Sequence, residues 1–285
     1  MAHPVALITD STCDLPQALV DQYQIGIVPL GVVWGDKVYR DRMELSPEEF
    51  YQRLTTDKNH PSSTQPSPAD MQKAFSDAIA GGAKEIVMVA ISSGMSGTFQ
   101  LAEQVGREMS VPVHVVDAKG PTMTVGWQVL AAARTRERGG NALEMVAAAA
   151  KARAKMVQLV CLDTLEFLHR GGRIGTAKKL IGSLLDLKPI IQVDHTTGTV
   201  VSLAQARTRK KSIDMFVSRF FEMLGEGKKH VALLHGNAFE EATALAERIQ
   251  QEFNPTEMIV NLTGPVMGIH TGPGALALCG YTEEA

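Results

Sequence analysis

The sequence predicts an α/β protein of two α/β domains, with a mostly parallel sheet flanked by helices over residues 1–155 and a mixed sheet with helices over residues 156–285. Three observations carry this reading. Short β-branched or apolar runs alternate with helical stretches along the whole chain. A long helical pair, split by Gly139-Gly140-Asn141, interrupts that alternation near the middle. The 285 residues also exceed the usual ~100 to 200 of one domain.

Taken in order, Val5 to Thr9 reads as a strand and Leu15 to Tyr23 as the helix after it. Ile27 to Trp34 reads as the next strand, Ser46 to Leu54 as a helix, and a further helix starts near Pro68. Glu85 to Ser92 and Val111 to Asp117 are strands on either side of a helix from Gly97 to Met109. The helical pair Met123 to Arg138 and Ala142 to Lys155 is expected to connect the two domains. From Met156 the alternation restarts with the strand MVQLVCLD, a short helix Leu165 to His169, the glycines of HRGGRIG and a helix to about Leu185. Pro189 to Val193 and Thr199 to Gln205 flank a turn at His195 to Gly198, and their period-2 pattern predicts an antiparallel hairpin. Helix Lys210 to Leu224, strand Val231 to His235, helix Glu240 to Phe253, strand Met258 to Leu262 and a last strand Ala275 to Cys279 complete the reading.

Charge is nearly balanced, 28 Lys and Arg against 31 Asp and Glu, so there is no general attraction for nucleic acid or an anionic membrane. The longest apolar stretch, Ile25 to Trp34, is broken by Gly26, Pro29 and Gly31 and falls short of the ~18 residues of a membrane helix. The N-terminus carries neither a basic region nor a cleavage site, which places the protein in the cytoplasm. Cys13, Cys161 and Cys279 are too widely spaced for a metal site or a disulfide framework and read as small buried hydrophobes. With no HExxH and no acidic cluster, neither a metal nor another cofactor is expected. Asp10 and Asp14 read as turn and capping residues.

In open α/β sheets ligands collect beyond the carboxyl ends of the strands, so the loops there come first. Four are rich in small polar residues: Asp10-Ser11-Thr12, the segment SSTQPS from Ser62 to Ser67, the segment SSGMSGT from Ser92 to Thr98, and the segment GIHTGPG from Gly268 to Gly274. The SSGMSGT loop opens a helix and can expose backbone N–H groups to an anion, with Ser93, Gly94 and Gly97 as supporting residues. The bland alternative is a capped turn with no ligand. It is neither a Walker loop nor a nucleophile elbow, so its hydroxyls read as donors to a carboxylate or phosphate. His270 lies in a Gly- and Pro-flanked loop where it can face a cleft, although a lone His is more often structural. Arg170 and Arg173 in HRGGRIG and Arg207 before the helix at Lys210 concentrate positive charge, and Arg173 beside its glycines suits an oxyanion. Thirteen Met against few aromatics fit a deformable aliphatic cavity as well as an ordinary core.

Together VALITDSTCDLP, IVPLGV, SSTQPS, SSGMSGT, HRGGRIG, KPII, ARTRKKS, HGN and HTGPGALAL, in this order over roughly residues 5 to 281, resemble the DegV family of bacterial fatty-acid-binding proteins. The resemblance implies two α/β domains with a long-chain fatty acid such as palmitate, stearate or oleate between them. It places the carboxylate on Ser63, Ser96 and the environment of His270. Ser63 departs from the family's usual Thr but keeps the hydroxyl. After Asp117 the family commonly reads D-S-x-x-x-S-x-G-x-G; here Thr122 keeps a hydroxyl, while Ala118 and Thr124 do not match, which puts the family's pocket size in question. The resemblance further implies a carrier that presents its ligand to a separate ATP-dependent fatty acid kinase subunit, with Arg173 and Arg207, and Arg170 beside them, toward that partner or its phosphoryl group. Two other readings stay open: an enzyme for a small phosphorylated or keto substrate, with SSGMSGT as anion cradle and His270 catalytic, and a regulator for which lipid is a signal.

Overall fold

The computed structural model describes residues 3–180 and 187–283. Along the first part of the chain run β1 (Val5–Asp10), α1 (Gln17–Gln22), β2 (Gly26–Val28), β3 (Gly31–Trp34), β4 (Lys37–Arg40), α2 (Pro47–Leu54), β5 (Ser62–Thr64), α3 (Pro68–Ala80), β6 (Glu85–Ala90), α4 (Thr98–Gly106) and β7 (Val113–Asp117). Then come α5 (Met123–Glu137), α6 (Ala142–Ala154), β8 (Val157–Cys161), α7 (Glu166–Arg170), β9 (Lys188–Asp194), β10 (Thr199–Ala206), α8 (Arg209–Leu224), β11 (Lys228–His235), α9 (Phe239–Phe253), β12 (Glu257–Leu262), α10 (Pro265–Thr271) and β13 (Leu276–Glu283).

Three sheets result. A parallel sheet has the order β2-β1-β6-β7; a mixed sheet has the order β10-β9-β8-β13-β11-β12, in which only β11 and β12 run parallel; a small antiparallel sheet has the order β4-β3-β5. Alternation along the strands sorts the apolar side chains between two faces. Ile8, Ile86 and Met88 meet Met71 and Phe75 of α3 and Leu101 and Val105 of α4 on one side of the parallel sheet. On its other side Leu7, Val87 and Val89 share one core with α5, α6 and the inner face of the mixed sheet. The outer face of that sheet packs Leu159, Leu233 and Leu278 on Phe216 and Phe220 of α8 and Leu245 and Ile249 of α9. The α5–α6 hairpin is therefore the central layer between the sheets. That is why Trp127, Val129 and Leu130 are buried with almost no polar face to the helix.

Three sequence expectations are corrected. Ile27 to Trp34 is two strands in different sheets, because Pro29 can give no ladder hydrogen bond and the chain turns there. Ser62–Thr64 is not loop but an edge strand, paired with Gly31, Val32 and Val33. The segment around His270 is helix: Pro265 starts α10, and Gly272 at φ 74° ends it in a conformation that L side chains rarely adopt. After HRGGRIG a short 3₁₀ stretch spans Gly175–Leu180, and the rest of the expected helix to Leu185 lies outside the described residues.

Candidate functional site

The inner face of the mixed sheet does not meet the parallel sheet everywhere. Past the end of β6, a cavity lies over that face, its interior and open mouth together holding about 850 Å³ of non-protein space. Its floor is Val160, Ile191, Val193, Val200, Leu234 and Ala277, and Ile91, Met95, Val266 and Met267 close over it.

Polar groups gather at the end where α10, β5 and the loop after β6 converge. Ser63, Ser96, His270 and Arg173 all line the cavity there. His270 Nε2 lies 2.8 Å from Ser63 Oγ, joining residues 207 positions apart. The Ser96 hydroxyl is 2.8 Å from that of Thr98 at the start of α4. Asp10, buried at the end of β1, accepts the Ile91 N–H at 2.7 Å and so fixes the start of the loop that carries Ser96.

The imidazole is buried, and that burial, with the Arg173 charge adding to it, lowers its pKa to about 4. It is neutral at pH 7. Among the described residues Nδ1 has no hydrogen-bond partner, and it faces Gly171, where an added Cβ would stand 2.1 Å away. In the tautomer protonated at Nε2 the ring donates to Ser63 Oγ, which leaves the Ser63 proton for a ligand. Gly171, the first glycine of HRGGRIG, is thus part of the site: it leaves room for the ring, and only the glycine pair in the motif hinted at it.

Arg173 donates to the carbonyls of Met95 (3.1 Å) and Gly171 (2.7 Å) and stays exposed at the mouth. A second cleft, lined among others by His60, Phe167 and Arg170, opens on the far side of the Ser63–His270 pair and shares Ser63, Arg173 and His270 with the cavity. Arg170 there pairs with Glu166 and lies 2.7 Å from His60 Nε2. The remaining predicted residues stand apart. Ser93 donates to Asp117, which Lys119 also pairs at 2.9 Å. Gly94 packs on the backbone of Thr197 and Gly198, and Gly97 makes room for the Gln65 amide. Arg207 is exposed ahead of α8 and does not line the cavity.

Sequence reasoning also missed a buried ionic cluster under the other end of α10. Asp14 accepts from Arg42 and from Gly264 N (2.9 Å), and Asp41 accepts from Ser11 Oγ (2.6 Å) and Val266 N (3.4 Å). Burial lifts the Asp41 carboxyl to about 7. Among the described residues no group of His, Cys, Asp or Glu could hold a metal ion, and no helix is long and apolar enough to cross a membrane.

Layered sheets around an apolar cavity with hydroxyls at one end define an α/β fold of known type. The chain belongs to the DegV family: residues 4–283 match the family model described as an uncharacterised protein of the DegV family. A DegV domain-containing protein of Streptomyces coelicolor is 36% identical over 280 residues, 98% of each chain. Among solved structures, a DegV family protein from Thermus thermophilus, described by its fatty acid binding, superposes with a TM-score of 0.91 at 33% identity, covering 98% of this chain and 99% of that one. DegV of Bacillus subtilis, described as a fatty acid binding protein, gives 0.90 at 28% identity, covering 99% and 100%.

Proposed function

We propose that this protein holds one long-chain fatty acid in the cavity, its carboxylate hydrogen-bonded by Ser63 and Ser96, and presents that carboxylate to a separate ATP-dependent kinase in the cytoplasm. The observation that carries the reading is the convergence of Ser63, Ser96 and His270 at one end of an aliphatic cavity. Burying each methylene is worth ~0.8 kcal/mol, so ~15 of them supply roughly 12 kcal/mol before binding costs are subtracted. The head needs only to be oriented. His270, neutral and fixed by Gly171, holds the Ser63 oxygen so that its proton points at the carboxylate. Arg173 at the mouth offsets the negative charge.

Phosphoryl transfer to the carboxylate belongs to the partner. The cleft behind the Ser63–His270 pair, with Arg170 and Arg173 in its wall, is where a transferred phosphoryl group would meet the head. The mostly aliphatic wall supports a carrier over an enzyme for a small polar substrate. The test is mass spectrometry of the organic extract of the purified folded protein. A long-chain fatty acid at one per protein supports the proposal. An empty protein that also fails to bind added fatty acid would sink it.

A further inference from the structure

The cavity has a second polar station, remote from the carboxylate residues. Gln158 stands on β8 in the floor, opposite Cys279 and among valines, an isoleucine, a leucine and alanines. It is 1% exposed, and a polar side chain so placed is costly without hydrogen bonds. Its Oε1 accepts from Thr124 Oγ1 at 2.6 Å, and its Nε2 donates to Thr122 Oγ1 at 2.9 Å. These bonds do not exhaust the group. Gln158 has a second amide proton, and the Thr122 hydroxyl proton has no acceptor among the described residues.

Thr122 is also held in an unfavourable conformation. It precedes α5 with φ 55° and ψ −133°, a region that a β-branched residue rarely enters, and its side chain does not cap the helix. The strained backbone turns the hydroxyl away from the helix N–H groups and onto Gln158 in the cavity wall. Both residues line the cavity.

We propose, resting on the fatty-acid reading above, that Thr122 and Gln158 form a recognition site for an oxygen on the acyl chain, and that the ligand class is a long-chain hydroxy fatty acid. A hydroxyl either accepts the spare Gln158 amide proton and donates to the Thr122 oxygen, or accepts the Thr122 hydroxyl proton, completing a station that a plain hydrocarbon leaves partly unpaired.

The test is displacement of bound stearate from the full-length protein by a positional series of monohydroxystearates, followed by native mass spectrometry. At least one isomer outcompetes stearate by about tenfold, the 1.4 kcal/mol scale of one buried hydrogen bond. Thr122→Ala brings that isomer to within about twofold of stearate while stearate itself is retained, and Thr122→Ser keeps the preference. The proposal is overturned if no isomer outcompetes stearate, or if the preference survives in Thr122→Ala. A wild-type protein that retains neither stearate nor any isomer overturns the fatty-acid reading, and this site with it.

Discussion

The two ends of α10 are built on opposite plans. Beneath its N-terminus lie buried charges: Asp14 and Asp41 accept the N–H groups of Gly264 and Val266, where the helix dipole favours negative charge, and Arg42 supplies the countercharge. At its last turn stands a neutral imidazole that, among the described residues, has one nitrogen unbonded and the Ser63 hydroxyl at the other, with open cavity beyond. The first end ties residues from the start of the chain to residues some 250 positions later and holds the helix in place. The second end leaves hydrogen-bonding capacity unused, and a ligand can take it. Even so, Asp14 Oδ2 and Arg42 Nε find no partner among the described residues, so the ionic end holds by charge more than by saturated hydrogen bonds.

Breaking the ionic end gives the largest effect. Arg42→Ala leaves Asp14, whose side chain is fully buried, without its cation. Breaking a buried pair costs ~3 to 5 kcal/mol, and because the Arg42 side chain is 26% exposed the low end, about 3 kcal/mol, is expected. Urea denaturation at pH 7 measures it. A loss under about 1 kcal/mol would mean that the cluster does not hold α10.

Next in size is an opposition in pH dependence. Asp41, raised by burial from 3.8 to about 7 against the Ser11 hydrogen bond and the Arg42 charge, favours folding most below pH 3.8 and loses that contribution as pH rises to about 7. His270, lowered by burial and the Arg173 charge from 6.5 to about 4, contributes fully above pH 6.5 and loses its contribution as pH falls to about 4. Asp41→Asn therefore gains on the wild type as pH rises through that window, and His270→Gln gains as pH falls. Neither slope exceeds about 1.4 kcal/mol per pH unit. Stability profiles of the two variants that run parallel to the wild type would remove the distinction between the ends.

Much of this architecture was legible because it is written in local pattern. The β9–β10 hairpin follows from period-2 alternation around Asp194 to Thr199, and the layered sheets follow from strands alternating with helices. Two misreadings carried their own signals: Pro29 inside an apolar run, and Pro265 with Gly272 as the two ends of a helix. β5 had no such signal, since Ser62–Thr64 is polar and becomes a strand only through pairing with β3. For the head end, the residues alone gave four polar loops of uncertain purpose; the family resemblance singled out Ser63, Ser96 and His270. The Asp14–Arg42 cluster and the contact of Gly171 with the imidazole stayed invisible because each joins distant segments whose meeting depends on packing.

The smallest expected change in folding sharpens the comparison from the other side. Among the described residues the Ser96 hydroxyl bonds only to Thr98, through that residue's hydroxyl and its backbone N–H at 3.3 Å. It is half-buried at the cavity wall and holds no distant segment. Ser96→Ala therefore lowers the unfolding free energy measured in urea by less than about 0.5 kcal/mol. Added fatty acid, by contrast, binds about tenfold more weakly, because a charge-assisted hydrogen bond to the carboxylate is gone. Arg42→Ala does the reverse, losing stability without touching a group that meets the ligand. If Ser96→Ala instead lowered stability as much as Arg42→Ala and left affinity unchanged, the loop would be part of the scaffold and the carboxylate would have to sit elsewhere.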